Sequence, residues 1–189
     1  MTQDLPGRIT EPKELRALAH PTRWAIMDLL GIESTVTATR CAEHLGESVA
    51  SCSYHLGMLA KYGYVEPADG GQGREKPWKL TRISQSWSVE GLDVEGALAV
   101  EALNDVYIDH TAAQLKDASR RAALEPEQWR HIAGSWGTTA HLTVEELTEL
   151  SAEFAAITDR YRPRIEDPSL RPEGSRPVRV LLASWLPRV

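Results

Sequence analysis

The chain has 189 residues, enough to bury one large core or two small ones, and 42% of them are hydrophobic and 25% charged. These proportions exclude wholesale disorder, and no run of about 18 apolar residues offers a membrane span. The net charge of -6 is unevenly placed: residues 1–82 carry ten basic and ten acidic side chains, residues 83–189 eleven and seventeen. All the excess acid lies in the second half, so the chain reads as two parts with different partners.

Met1–Thr10 is short, polar and proline-bearing, without the apolar core of a signal peptide. Thr10 can cap a first helix, with Pro12 near its start and Leu15 and Leu18 on one face. A second helix is predicted from His20-Pro21 through Ile26, Leu29 and Leu30 to Gly31, followed by a connector from Ile32 to Val36. Thr37 caps a third helix, Ala38 to Leu45, which Gly46 ends in a tight turn. Ser48 caps a fourth, which Gly63 stops. At about 100° per residue, Val49, Cys52, Leu56, Leu59 and Ala60 share its inner face. The opposite face carries Ala50, Ser51, Tyr54, Met58 and Lys61, with Ser53 and His55 on the flanks. Two extended pieces, Tyr64–Pro67 and Lys76–Thr81, enclose a glycine-rich tip and predict a hairpin.

Beyond Ser84 the character changes. Leu92 to about Leu124 reads as one alanine-rich helix, apolar on more than one side and so needing more than one packing partner. Trp136, Thr138, Ala140 and Leu142 alternate as in a short strand. Thr143-Val144-Glu145-Glu146 has capping-box spacing. The helix it opens sets Leu147, Leu150, Phe154, Ile157 and Tyr161 in a stripe before Pro163. After a proline- and arginine-rich loop, Val178–Leu182 is a second strand candidate.

Three features coincide between Thr37 and Arg82. Two helices flank a turn of about three residues containing glycine, which is helix-turn-helix geometry. The outward face of the second helix is small and polar near its start, which lets its hydroxyls approach base edges in a major groove. No Asp or Glu occurs between Ser48 and Val65, where a carboxylate would face phosphates. The hairpin adds Gln72, Arg74, Lys76, Lys79 and Arg82 against Glu75, a positive wing able to track a phosphate backbone.

The stretches Leu15-Arg16-Ala17-Leu18-Ala19-His20-Pro21-Thr22-Arg23, Ser51-Cys52-Ser53-Tyr54-His55-Leu56-Gly57-Met58-Leu59, Gly63-Tyr64-Val65 and Gly73-Arg74-Glu75-Lys76-Pro77-Trp78 together resemble the ArsR-type winged-helix repressors. More narrowly, they resemble the actinobacterial helix-turn-helix proteins with a longer C-terminal half. The resemblance covers about residues 12–82 and implies a homodimeric repressor that reads an inverted repeat, with one recognition helix per half-site. It departs from that family's metal sensors, because their paired cysteines are absent. Cys41 and Cys52 are isolated, form no disulfide framework and fit a reducing, cytoplasmic compartment. Asp105, Asp109 and His110 are too few for a metal site.

The expected fold is therefore mainly α with small β. Residues 1–86 form a winged helix-turn-helix DNA-binding domain, and 87–189 a mostly helical dimerisation and effector domain with one or two short strands. Double-stranded DNA is expected to contact Thr37, Ser48, Ala50, Ser51, Ser53, Tyr54, His55 and Lys61 from the helices. Gln72, Arg74 and Lys76 serve it from the wing. Ala99, Leu103, Val106 and Tyr107 are expected at the dimer seam, since small residues let helices approach closely. No catalytic group, metal or cofactor is expected: no phosphate loop, nucleophile motif or ligand spacing occurs. Two other readings stay open. One is a regulator gated by a small apolar effector among the late tryptophans; the other is a winged-helix module that binds protein rather than DNA.

Overall fold

The computed structural model describes residues 8–70, 76–83, 85–131 and 134–187. A short strand, β1 (Arg8–Ile9), leads into α1 (Pro12–Leu18), α2 (Pro21–Glu33), α3 (Ala38–Leu45) and α4 (Val49–Lys61). Then come β2 (Val65–Pro67), β3 (Trp78–Leu80), β4 (Ser86–Trp87), α5 (Val94–Arg121), α6 (Glu127–Arg130), α7 (Val144–Asp159) and α8 (Pro163–Glu166). The molecule is mostly helical with a few short strands, a helix-turn-helix at the N-terminal end and a helical C-terminal region.

Local chemistry sets most of the helix ends. Pro12 and Pro21 occupy first turns, where the missing N–H costs nothing. Glu11, not Thr10, is the residue that precedes α1, and its side chain makes no cap. The N–H of Thr22 donates to Nδ1 of His20 at 3.2 Å, so the imidazole caps α2. That helix continues past Gly31 to Glu33, and Ser34 takes the left-handed turn instead, at φ 69°. Glycine permits that conformation but does not impose it. Asp93 caps α5 by accepting from the N–H of Gly96, and Thr143 and Glu146 form the complete capping box of α7.

The core gathers Leu15 and Leu18 of α1, Ile26, Leu29 and Leu30 of α2, Cys41 of α3, Cys52, Leu56 and Leu59 of α4, and Val65 of β2. Each fully buried leucine or isoleucine stabilises the fold by about 1.5–3 kcal/mol. The β2–β3 hairpin is antiparallel, with Val65 opposite Leu80 and Pro67 opposite Trp78. A bridge between Val36 and Trp78 ties it to the α2–α3 connector.

This core does not end at residue 86. β1 pairs in parallel with β4, and α5 packs along α1, closed by an Arg16–Glu95 ion pair at 2.6 Å. Trp87 sits against Trp24 and Tyr107 and donates from Nε1 to Asn104. Ala99 and Leu103, expected at a dimer seam, are instead buried within their own chain. The face of α5 that their small and branched side chains make is taken by the N-terminal core. Tyr107 lies 4.8 Å from the Trp24 ring, and Val106 is half-buried.

Leu103 is the last buried residue: among the described residues none from 104 to 187 is buried. Neither expected strand forms there, since residues 136–142 and 178–182 have no regular structure. A strand needs a neighbour to complete its ladder, and among the described residues none pairs with either segment.

Candidate nucleic-acid interface

The helix-turn-helix is built by two side-chain caps and one glycine. The N–H of Arg40 donates to Oγ1 of Thr37 and that of Ser51 to Oγ of Ser48, both at 3.1 Å; each cap contributes about 1 kcal/mol. Gly46 makes the turn between them at φ 68° and ψ 25°, a conformation that strains any residue with a Cβ. Arg40 reaches back from α3 to Glu33, with Nη2 at 2.6 Å from Oε1, and so fixes α3 against the end of α2.

Cys52, His55, Leu56 and Leu59 anchor α4 in the core. Ala50, Ser53, Tyr54, Gly57 and Lys61 are exposed and recur at helical spacing, so they form one outward stripe. Tyr54 is its most prominent member, 60% exposed. Ser51 is half-buried and Ser48 exposed, so the start of α4 also presents hydroxyls outward. Val49, expected on the inner face, is half exposed at the first turn, where α4 has not yet met the core.

His55 departs from expectation. It is 7% exposed, and its ring packs 4.5 Å from that of His20 and 5.3 Å from that of Tyr54. The outward stripe of α4 therefore lacks it. Burial, the neighbouring His20 and Arg23 all push its pKa below the ordinary histidine value, as burial and Arg23 do for His20. Neutral rings result, in keeping with the capping role of His20.

Gly57 is a member of the stripe that sequence reasoning passed over. A Cβ there would meet nothing, so the fold does not require glycine. Glycine inside a helix costs about 0.5–1 kcal/mol relative to alanine. It leaves bare backbone at the centre of the exposed face. The signal was a glycine between two hydrophobic turns of a helix, with no turn to make.

On the hairpin, Lys76 and Arg82 are exposed, while Lys79 pairs across the strands with Glu66 at 3.3 Å and is partly neutralised. Gln72 and Arg74 lie outside the described residues. Cys41 and Cys52 are both fully buried, and burial pushes the Cys41 thiol up to about 12, so neither is a reactive thiolate. Among the described residues no group of three His, Cys, Asp or Glu side chains is placed to hold a metal ion. No helix there is long and apolar enough to cross a membrane. Of the late tryptophans, Trp136 is 88% and Trp185 78% exposed, and Arg176 lies over the ring of Trp129.

Among solved structures, a mutant of Lactococcus lactis ZitR is similar at 20% identity, over 75% of this chain and 75% of that chain, with a TM-score of 0.33. So distant a likeness says nothing of function. No curated protein matches the chain. Residues 18–67 match a family described as a helix-turn-helix domain, from the end of α1 to the end of β2. That domain, with α4 projecting its acid-free stripe, supports a DNA-binding transcription regulator.

Proposed function

We propose that the protein is a homodimeric repressor that reads an inverted repeat in double-stranded DNA. The outward stripe of α4 carries this reading: Ala50, Ser53, Tyr54, Gly57 and Lys61 are exposed together, and no carboxylate interrupts them. The N-terminal part of α4, with Ser48, Ser51, Ser53 and Tyr54, enters the major groove, where hydroxyls donate to or accept from base edges. Lys61 and the wing residues Gln72, Arg74 and Lys76 serve the phosphate backbone. Thr37 acts through the cap that orients α3. Two copies place their α4 helices in successive major grooves about 34 Å apart.

The dimer seam lies on the side of α5 that the N-terminal core leaves open. Val94, Leu98, Ile108 and Leu115 are exposed there, and an open groove of about 540 Å³ runs beside Leu98 and Asn104. These residues replace Ala99 and Leu103 in the seam, whereas Val106 and Tyr107 border it.

Selection of bound sequences from a random duplex library at moderate salt tests the reading. Enrichment of an inverted repeat with half-sites one helical turn apart supports it. Retention of DNA without sequence preference, or no retention, refutes it.

A further inference from the structure

The N-terminal core leaves one side of α5 open, and the groove of about 540 Å³ on that side has the volume of a site for a small organic molecule. The register of the helix sets its lining. Val94, Leu98, Glu101 and Asp105 recur every three or four residues, so they share a face. Val100, buried in the core, supplies the apolar floor, and Val89, from the segment before the helix, adds to the apolar lining.

Further along α5 the lining turns polar, with Glu101, Asn104 and Asp105. Trp87 donates from Nε1 to Oδ1 of Asn104 at 2.8 Å, which holds that side chain in place. The two carboxylates are exposed and unmatched. No Lys or Arg occurs between Ile83 and Leu115, and no basic side chain lines the groove. Arg8 and Arg16 reach this part of the chain, but they pair with Glu90 and Glu95. Asp93 is engaged as the cap of α5. Among the described residues Glu101 and Asp105 have no ion-pair partner.

This combination selects the chemistry of an occupant. A wholly apolar molecule would strip water from two carboxylates and return nothing to them. An anion would meet like charge at both. A bare metal ion or a small hydrophilic amine would leave the apolar floor in water. A broad apolar body bearing one positive charge suits both parts: the body covers Leu98 and Val100, and the charge faces Glu101 and Asp105.

We infer that the α5 groove binds an organic cation with an apolar body. The lining comes from one chain, so the site stands without the proposed dimer. As the place of an effector it rests on the proposed regulator, whose seam runs along the same side of α5.

The test uses the full chain and two probes, tetraphenylphosphonium and tetraphenylborate, which share size and shape and differ in the sign of their charge. In equilibrium dialysis tetraphenylphosphonium should bind one to a chain, and tetraphenylborate about ten-fold more weakly or worse. Glu101→Gln with Asp105→Asn should erase that preference. Leu98→Arg, which brings a cation of its own to the groove, should abolish binding of tetraphenylphosphonium. All three positions are exposed, so these substitutions leave the core intact. No binding of tetraphenylphosphonium, equal binding of the two ions, or a preference that the variants leave unchanged overturns the inference. Operator selection on the ligand-free protein separates the two claims: failure there strikes the regulator, whereas failure of the cation to bind strikes only the groove.

Discussion

The ring of His55, on the inner side of α4, packs 4.5 Å from the ring of His20, which caps α2 through its Nδ1. Helix α4 is thereby joined to the start of α2 by two groups that are neutral only while unprotonated. A proton on Nδ1 of His20 removes the cap, and a proton on His55 places a charge in a buried site beside Arg23.

Both folded-state pKa values are depressed below 6.5, so the unfolded chain takes up protons first as pH falls. The stability contributed by this pair is complete above about pH 6.5 and declines as pH drops through the depressed values. Glu47 opposes the shift at both rings without reversing it. Thermal unfolding between pH 5 and 8 should show Tm rising with pH in the lower part of that range, and His55→Gln should flatten the slope. A Tm independent of pH, or one that falls as pH rises through the window, contradicts the pairing.

Gly57→Ala should separate folding from binding. With open space around the new methyl, the helix gains about 0.5–1 kcal/mol of stability. In the proposed placement of α4 in a major groove, DNA affinity should fall, because the methyl would stand between the helix backbone and the DNA. Denaturant unfolding and a DNA titration on the same preparation check both halves. Unchanged affinity would show that the centre of the stripe stays clear of DNA.

Lys76→Ala should weaken binding to all duplexes alike and reduce the dependence of log Kd on log salt by about one unit. The measurement is a set of titrations at several salt concentrations, on an operator and on a scrambled duplex. Loss confined to the operator would move Lys76 from the backbone to a base.

Asp28→Asn should loosen the C-terminal arm. The carboxylate accepts from His110 at 2.6 Å and Gln114 at 2.5 Å and pairs with Arg179, and it is mostly shielded from water. The amide of asparagine cannot serve the same three donors, and hydrogen bonds to a charged group contribute about 1.5–3 kcal/mol each. Proteolysis after residue 160 should accelerate in the variant, with α1 to α4 still intact. Equal cleavage rates would show that Asp28 does not hold the arm.

The parts of the fold legible in the sequence were those that short-range chemistry decides. Thr37, Ser48 and Thr143 cap the helices their positions announced, and Gly46 makes the turn between α3 and α4. Tyr54 faces outward as the helical period requires. What escaped depended on partners distant in sequence. His55 stood on the flank of the helical wheel, and only the approach of His20 decides that it turns inward. Ala99 and Leu103 looked like seam residues because composition marks a close-packed face without saying which helix packs there; α1 does. The alternation at 136–142 and 178–182 marks strand-competent sequence, but strands form only against a neighbour. That no packing contact requires glycine at position 57 depends likewise on its surroundings, which the sequence does not show.

The central claim is that α4 reads bases, and its most direct test compares wild type and Tyr54→Ala on a selected operator and on a scrambled duplex. Tyr54 is 60% exposed, so the substitution leaves the core intact. Removing a base contact costs about 1–3 kcal/mol, so operator affinity should fall by about 5- to 150-fold while scrambled-duplex affinity barely changes. An equal loss on both duplexes, or none on either, would contradict the placement of α4 in the major groove.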